Sequence, residues 1–207
     1  MFANRTEAGR RLAERLVERG VEADIVLAIP RGGLPVGRPV ADALGVPLDV
    51  VVAQKLGAPK NPELAVGAVA ADGSLWLNDE LVDWLSVPES YVDRERDREA
   101  ANARAKVDSY RGGDPLPELA GKRVVVVDDG LATGATAQAC LRQVRAAGAA
   151  HVVLAVPVAP VDAPDRFAEA ADEFVAVETP VHFVAVGGAY RDFSQVPDEE
   201  ARRYLTP

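Results

Sequence analysis

"VVVVDDGLATGAT", Val124 to Thr136, decides how the chain folds. Four consecutive valines without polar alternation fit a strand covered on both faces, as in a parallel sheet. Two adjacent carboxylates, Asp128 and Asp129, end that strand, and small and hydroxyl residues follow. In open parallel sheets ligands bind beyond the carboxyl ends of the strands. Gly130 to Thr136 would turn there into a helix N-terminus, where free N–H groups and the helix dipole attract an anion. Ala132, Gly134 and Ala135 permit close backbone approach, and Thr133 and Thr136 add hydroxyl donors, so the loop reads as a phosphate cradle. Carboxylates beside a phosphate repel it unless hydroxyl donors or a metal stand between them. A sugar phosphate meets that requirement, with phosphate in the loop and ring hydroxyls on the aspartates. An acidic N-cap with a tight turn is the alternative for the aspartates by themselves.

The flanking sequence supplies the rest of such a sheet. "ADIVLAIP" (23–30), "LDVVVAQK" (48–55), "HVVLAVPV" (151–158) and "EFVAVET" (173–179) read as further buried strands. Helices are expected after Thr6 as N-cap and ending at Gly20, through "VGRPVADALG" (36–45), from Ala135 to Ala147 and over "APDRFAEAA". "LAVGAVA" and "SLWLN", separated by "ADG", read as a hairpin, with Trp76 and Trp84 packing it against its neighbouring helix. Pro88 to Arg111 reads as a charged helix of alternating sign, a solvated face. Apolar strands alternating with helices imply an α/β fold: a Rossmann-like five-stranded parallel sheet with helices on both faces. Residues 1–207 are expected to form one domain, with about 178–207 contributing a small hood.

Composition narrows the function. The chain carries 23 basic and 32 acidic residues, a formal charge of −9, with lysine only at Lys55, Lys60, Lys106 and Lys122. That balance opposes nucleic-acid binding, which rests on basic residues neutralising phosphates; an acidic, lysine-poor surface suits a salt-rich, halophilic cytoplasm, and a GC-rich genome gives the same bias. The single cysteine, Cys140, gives no internal disulfide and reads as a packed helix thiol. No run approaches the roughly 20 apolar residues of a membrane span. A cytoplasmic location is expected, with no membrane and no nucleic-acid partner. His151 and His182, far apart beside one cysteine, make no zinc pattern, so no protein-held metal is expected. Asp192, Glu199 and Glu200 are expected to cap or to be solvated.

Across all thirteen positions, "VVVVDDGLATGAT" resembles the 5-phosphoribosyl 1-pyrophosphate (PRPP) motif of type I phosphoribosyltransferases. The element order also resembles that fold along most of the chain. "ETPVHFVAVGGAYRDFSQVPDEE" resembles the C-terminus of a group of such proteins whose acceptor is unassigned. The resemblance implies that Asp128 and Asp129 hold the ribose hydroxyls and Ala132, Thr133, Gly134, Ala135 and Thr136 the 5-phosphate. It places Arg31, Gly32 and Gly33 of "IPRGGLPVG" in the pyrophosphate loop, where a simple strand-to-helix turn is the plainer reading. Lys55, after its strand, matches a family cation that contacts pyrophosphate, or is a surface lysine. "GAPKNPE" (57–63) resembles the start of the loop that covers the reaction centre, and equally fits a surface loop.

The implied activity is PRPP-dependent pentosyl transfer to a nitrogen acceptor, as in nucleotide salvage, with Mg²⁺ held mainly through PRPP. A small-molecule acceptor is the implied partner, and a homodimer is compatible with it. Phe183 and Tyr190 either stack on a planar base or pack the hood. Hypoxanthine-guanine enzymes carry an aspartate where this chain has Ala132 and a lysine on the next strand, which "LAVPVAP" lacks; "LATG" partly matches adenine enzymes. A PRPP-sensing regulator without transferase activity is the alternative. A phosphoacceptor domain, the third reading, leaves "TGAT" unexplained.

Overall fold

The computed structural model describes residues 1–112 and 114–206. The valine run forms β6 (Arg123–Val127), and Val124 to Val127 are all fully buried. Its residues alternate between two separate clusters. Val125 and Val127 pack with Leu12, Leu16, Leu34 and Val40 on one face, while Val124 and Val126 pack with Cys140, Leu141, Val144 and Phe167 on the other. Both sides are apolar because both are covered, which explains a strand without alternation.

Strand β6 pairs in parallel with β1 (Ile25–Ala28) and with β7 (His151–Val158). With β2 (Leu48–Val50) and β8 (Glu173–Glu178) they make a five-stranded parallel sheet in the order β2-β1-β6-β7-β8. Helices α1 (Arg5–Glu18) and α2 (Gly33–Leu44) contribute to the first cluster. Helices α5 (Ala135–Ala146) and α6 (Ala163–Phe167) contribute to the second. The N-cap of α1 is Asn4, not Thr6: the Asn4 side chain accepts from the Glu7 N–H at 2.9 Å, leaving Thr6 inside the first turn.

"LDVVVAQK" is not one strand. After β2 the chain leaves the parallel sheet, and β3 (Ala53–Ala58) begins a three-stranded antiparallel sheet with β4 (Asn61–Ala70) and β5 (Leu75–Leu77). The outer edge of β2 is held in place. The Asp49 carboxylate accepts from the Val50 N–H, and the Arg111 side chain donates to both Asp49 and the Val50 carbonyl. Those contacts tie up the Val50 groups on the outer edge of β2, while the Val51 N–H still donates to the Ala28 carbonyl before the chain leaves β1. The "ADG" hairpin is present between β4 and β5, with Gly73 at φ 95°. "GAPKNPE" forms the tight β3–β4 connection, where the backbone of Pro62 lies so near Gly57 that a Cβ there would sit 2.5 Å from its carbonyl oxygen.

Helix α4 (Glu89–Arg111) matches the expected charged helix. Trp84 closes the short α3 (Asp79–Trp84) and is 78% exposed, so it does not pack the hairpin; Leu81 and Val82 of that helix do. The chain ends cross each other. Phe2 bridges to Tyr190, its N–H donating to the Ala189 carbonyl, and α7 (Asp198–Arg203) follows. Among the described residues, no helix is long and apolar enough to cross a membrane.

Candidate active site

The acid pair stands where β6 ends. Asp128 turns its Oδ1 back to accept from the Asp129 N–H at 2.8 Å. Asp129 Oδ2 accepts from Arg5 Nε at 2.7 Å, and both side chains are largely buried, 16% and 12% exposed. Arg5 lies 3.9 Å above the Phe193 ring and donates to the Ser194 carbonyl. Burial raises the pKa of both carboxyls; the charge of Asp129 raises Asp128 further, and Arg5 opposes the rise in both.

Beyond the acids, Gly130 and Gly134 shape the loop. Gly134 has φ 76°, and a Cβ on it would meet the Phe167 ring at 2.6 Å. The Leu131 N–H donates to the Val158 carbonyl, and the first backbone bond of α5 runs from Gln138 to Gly134. The N–H groups of its first turn therefore have no intrahelical acceptor. On the outside, Arg166 donates to the carbonyls of Ala132 and Thr133, fixing the loop backbone. One cavity of about 230 Å³ is lined by Lys55, Asp128, Asp129, Gly130 to Ala137, Val186 and Phe193. The loop, the acid pair and Lys55 of β3 therefore meet in one place.

The loop after β1 closes on the acids. The Pro30–Arg31 peptide is cis. Gly32 and Gly33 press against β6: a Cβ at Gly32 would stand 2.0 Å from Asp129 Oδ2, and one at Gly33 2.8 Å from the Val127 oxygen. Arg31 does not line that cavity; its guanidinium faces Asp198 of α7 at 3.8 Å.

The two aromatic candidates lie elsewhere. Tyr190 is 6% exposed, with ring centroids of Phe2 at 5.3 Å and Phe193 at 5.0 Å, and its hydroxyl donates to the Asp129 carbonyl at 2.6 Å. A ring so enclosed has no free face for a base; its task is to hold Asp129. Phe183 lines a separate cavity with Glu178 and His182. Phe193 is the aromatic at the acid pair, and sequence reading passed over it, as it did Arg5, Lys106 and Arg166. The only available hint was "RDF" directly after "GGAY".

Residues 3–192 match a family model described as phosphoribosyl transferase domain. A Mycobacterium tuberculosis protein named "Putative phosphoribosyl transferase" is 44% identical over 205 residues, covering 99% of this chain and 46% of that protein. The chain thus spans about half the length of that relative. An amidophosphoribosyltransferase of the same species is 31% identical over 160 residues, covering 76% of this chain and 23% of its own. The crystal structure of the Thermus thermophilus protein TT1426 superposes with a TM-score of 0.83 at 43% identity, covering 99% of this chain and 97% of that one.

Proposed function

The chain belongs to the phosphoribosyltransferase family, and from that premise we propose that it transfers the phosphoribosyl group of PRPP to a nitrogen acceptor. One observation carries the proposal: the loop from Gly130 to Thr136, the acid pair and Lys55 share a single cavity. The 5-phosphate sits on the first turn of α5, where unpaired N–H groups and the dipole hold a dianion. The ribose hydroxyls donate to Asp128 and Asp129. Lys55 and the Arg31–Gly33 loop flank the pyrophosphate.

In the reaction the C1–O bond to pyrophosphate breaks and takes its electron pair with the leaving group. The acceptor nitrogen donates its lone pair to C1 and then releases a proton to solvent. The transition state resembles an oxocarbenium ion, so the protein's part is to position, to neutralise the leaving group and to exclude water. Among the described residues no three metal-ligating side chains converge. Asp128 and Asp129, two carboxylates at a strand end, would face an ion carried in by the substrate, and Mg²⁺ would supply further neutralisation of the leaving group. Phe193 lines the cavity, but its ring is already flanked by Arg5 at 3.9 Å and by Tyr190 at 5.0 Å; the acceptor is read as a nitrogen nucleophile, most simply a nucleobase. This reading takes residues 1–207 as one catalytic domain working in the cytoplasm.

The test is a screen of bases and amines with PRPP and Mg²⁺ that reads pyrophosphate release, alongside thermal melting with PRPP. A ligand that binds only the native state raises the melting temperature. No release and no shift at millimolar PRPP would sink the proposal.

A further inference from the structure

Lys106 is a half-buried lysine to which the reaction above gives no task. It lies on α4, and its Nζ reaches one carbonyl, that of Pro30, at 3.4 Å. Among the described residues no carboxylate lies within ion-pair distance of it, whereas neighbouring Arg31 has Asp198 at 3.8 Å. Asp198 is also held by the Tyr110 hydroxyl at 3.2 Å. Burial lowers the Lys106 pKa, Arg31 lowers it further, and Asp198 and Asp128 pull the other way. Lys106 therefore lies against the β1–α2 loop beside Arg31, within reach of the charges of Asp198 and Asp128 but paired with neither.

A partly desolvated ammonium with a single neutral acceptor is costly unless an anion arrives to complete it. Lysine suits such a task, because its compact charge rides on a flexible stem that can swing from a carbonyl to a phosphate oxygen. We propose that Lys106 is a second cation of the pyrophosphate subsite, acting with Arg31, and that Asp198 holds the place of the anion until pyrophosphate binds. This rests on the phosphoribosyl reading and extends it to an element, α4, that the motif does not contain. Asp198 brings α7 into the same subsite, so pyrophosphate would compete with the contact that seats the last helix.

The experiment compares three ligands by calorimetry: Mg-pyrophosphate, Mg-PRPP and ribose 5-phosphate, which shares the sugar phosphate but lacks the pyrophosphate. Lys106→Gln should weaken pyrophosphate and PRPP by about tenfold or more, the loss of one charge-assisted hydrogen bond, and leave ribose 5-phosphate unchanged. Lys106→Arg should restore most of the affinity. Asp198→Asn removes the competing carboxylate without touching Lys106, and should tighten pyrophosphate. Equal losses for all three ligands in Lys106→Gln would make Lys106 a structural bolt and overturn the proposal. So would unchanged pyrophosphate binding in Lys106→Gln, or weakened binding in Asp198→Asn. A wild-type protein that binds neither pyrophosphate nor PRPP removes the underlying reading as well; one that binds both while Lys106→Gln is unaffected removes this proposal alone.

Discussion

A methyl group added at Gly32 would stand 2.0 Å from Asp129 Oδ2 and 2.5 Å from its Cγ. Carbon and oxygen normally approach to about 3.3–3.6 Å, so the carboxylate of a Gly32→Ala variant must retreat by more than about 1 Å. Gly32 has φ −61° and ψ −32°, which alanine adopts freely; stiffening the unfolded chain even contributes about 0.4–1 kcal/mol of stability. Against that, the retreating carboxylate loses its 2.7 Å contact with Arg5, worth about 1.5–3 kcal/mol. Net destabilisation of about 1–2 kcal/mol follows, or roughly 2–8 °C in Tm for a chain of this size. Binding should suffer more, because Asp129 is the proposed partner of a ribose hydroxyl: the same 1.5–3 kcal/mol corresponds to about 10- to 150-fold in Kd. Gly33→Ala supplies the contrast. There the obstacles are the Val127 oxygen at 2.8 Å and the Asp128 Cα at 3.2 Å, backbone of the central strand that cannot retreat. Stability should fall further, by about 3 kcal/mol. Denaturant unfolding and ribose 5-phosphate calorimetry on both variants read the two effects. A Gly32→Ala protein with wild-type affinity would refute the claim that Asp129 holds the sugar.

Two other substitutions probe the site. The Asp128 carboxyl is raised by burial and by Asp129, so the folded state binds its proton more readily than the unfolded chain. Its ionisation lowers stability as pH rises from the ordinary value of 3.8 through the folded pKa. Asp128→Asn lacks that slope, so its advantage over wild type in Tm should be greatest at neutral pH and shrink on acidification; a difference constant from pH ~4 to ~8 would contradict the assignment. Phe193→Ala removes the ring over which Arg5 lies at 3.9 Å, a cation–π contact worth about 0.5–2 kcal/mol, so denaturant unfolding should show a loss of that order. Wild-type stability in that variant would show that the ring does not support Arg5.

What was legible in the sequence was contiguous. The valine run betrayed a strand covered on both faces, and the loop after it carried its own glycines and hydroxyls. The end of β2 was not legible, because Val51 and Val52 continue the apolar run and the side chain that holds the outer edge, Arg111, is 61 residues away. Arg5 is 124 residues from Asp129, and nothing in its helix distinguishes it from Arg10 or Arg11. Tyr190 misled for a related reason: a sequence displays an aromatic ring but not the partner of its hydroxyl. Burial against Phe2, set by pairing between the two chain ends, turned a candidate platform into a support.

The electrostatics of the site follow from that assembly. A chain with net charge −9 must accept a multiply charged anion beside two carboxylates. Its distant acids matter little, since exposed charges are screened beyond about 8 Å at physiological ionic strength. On the proposed reading the local set would decide binding: Arg5 from α1, Arg31 after β1, Lys55 from β3 and Lys106 from α4, each delivered by a different element. Arg5 answers Asp129 directly at 2.7 Å, so the acid pair is partly neutralised before any ligand arrives. Burial still raises both carboxyls, Asp128 most of all, and Arg5 opposes that rise without cancelling it. Arg31 and Lys106 have no comparably close carboxylate, only Asp198 at 3.8 Å from Arg31. Positive charge is therefore closely matched where the sugar would lie and only loosely matched, by Asp198, where pyrophosphate would lie. A ligand with a neutral polyol at one end and a dense anion at the other is the complement of that division.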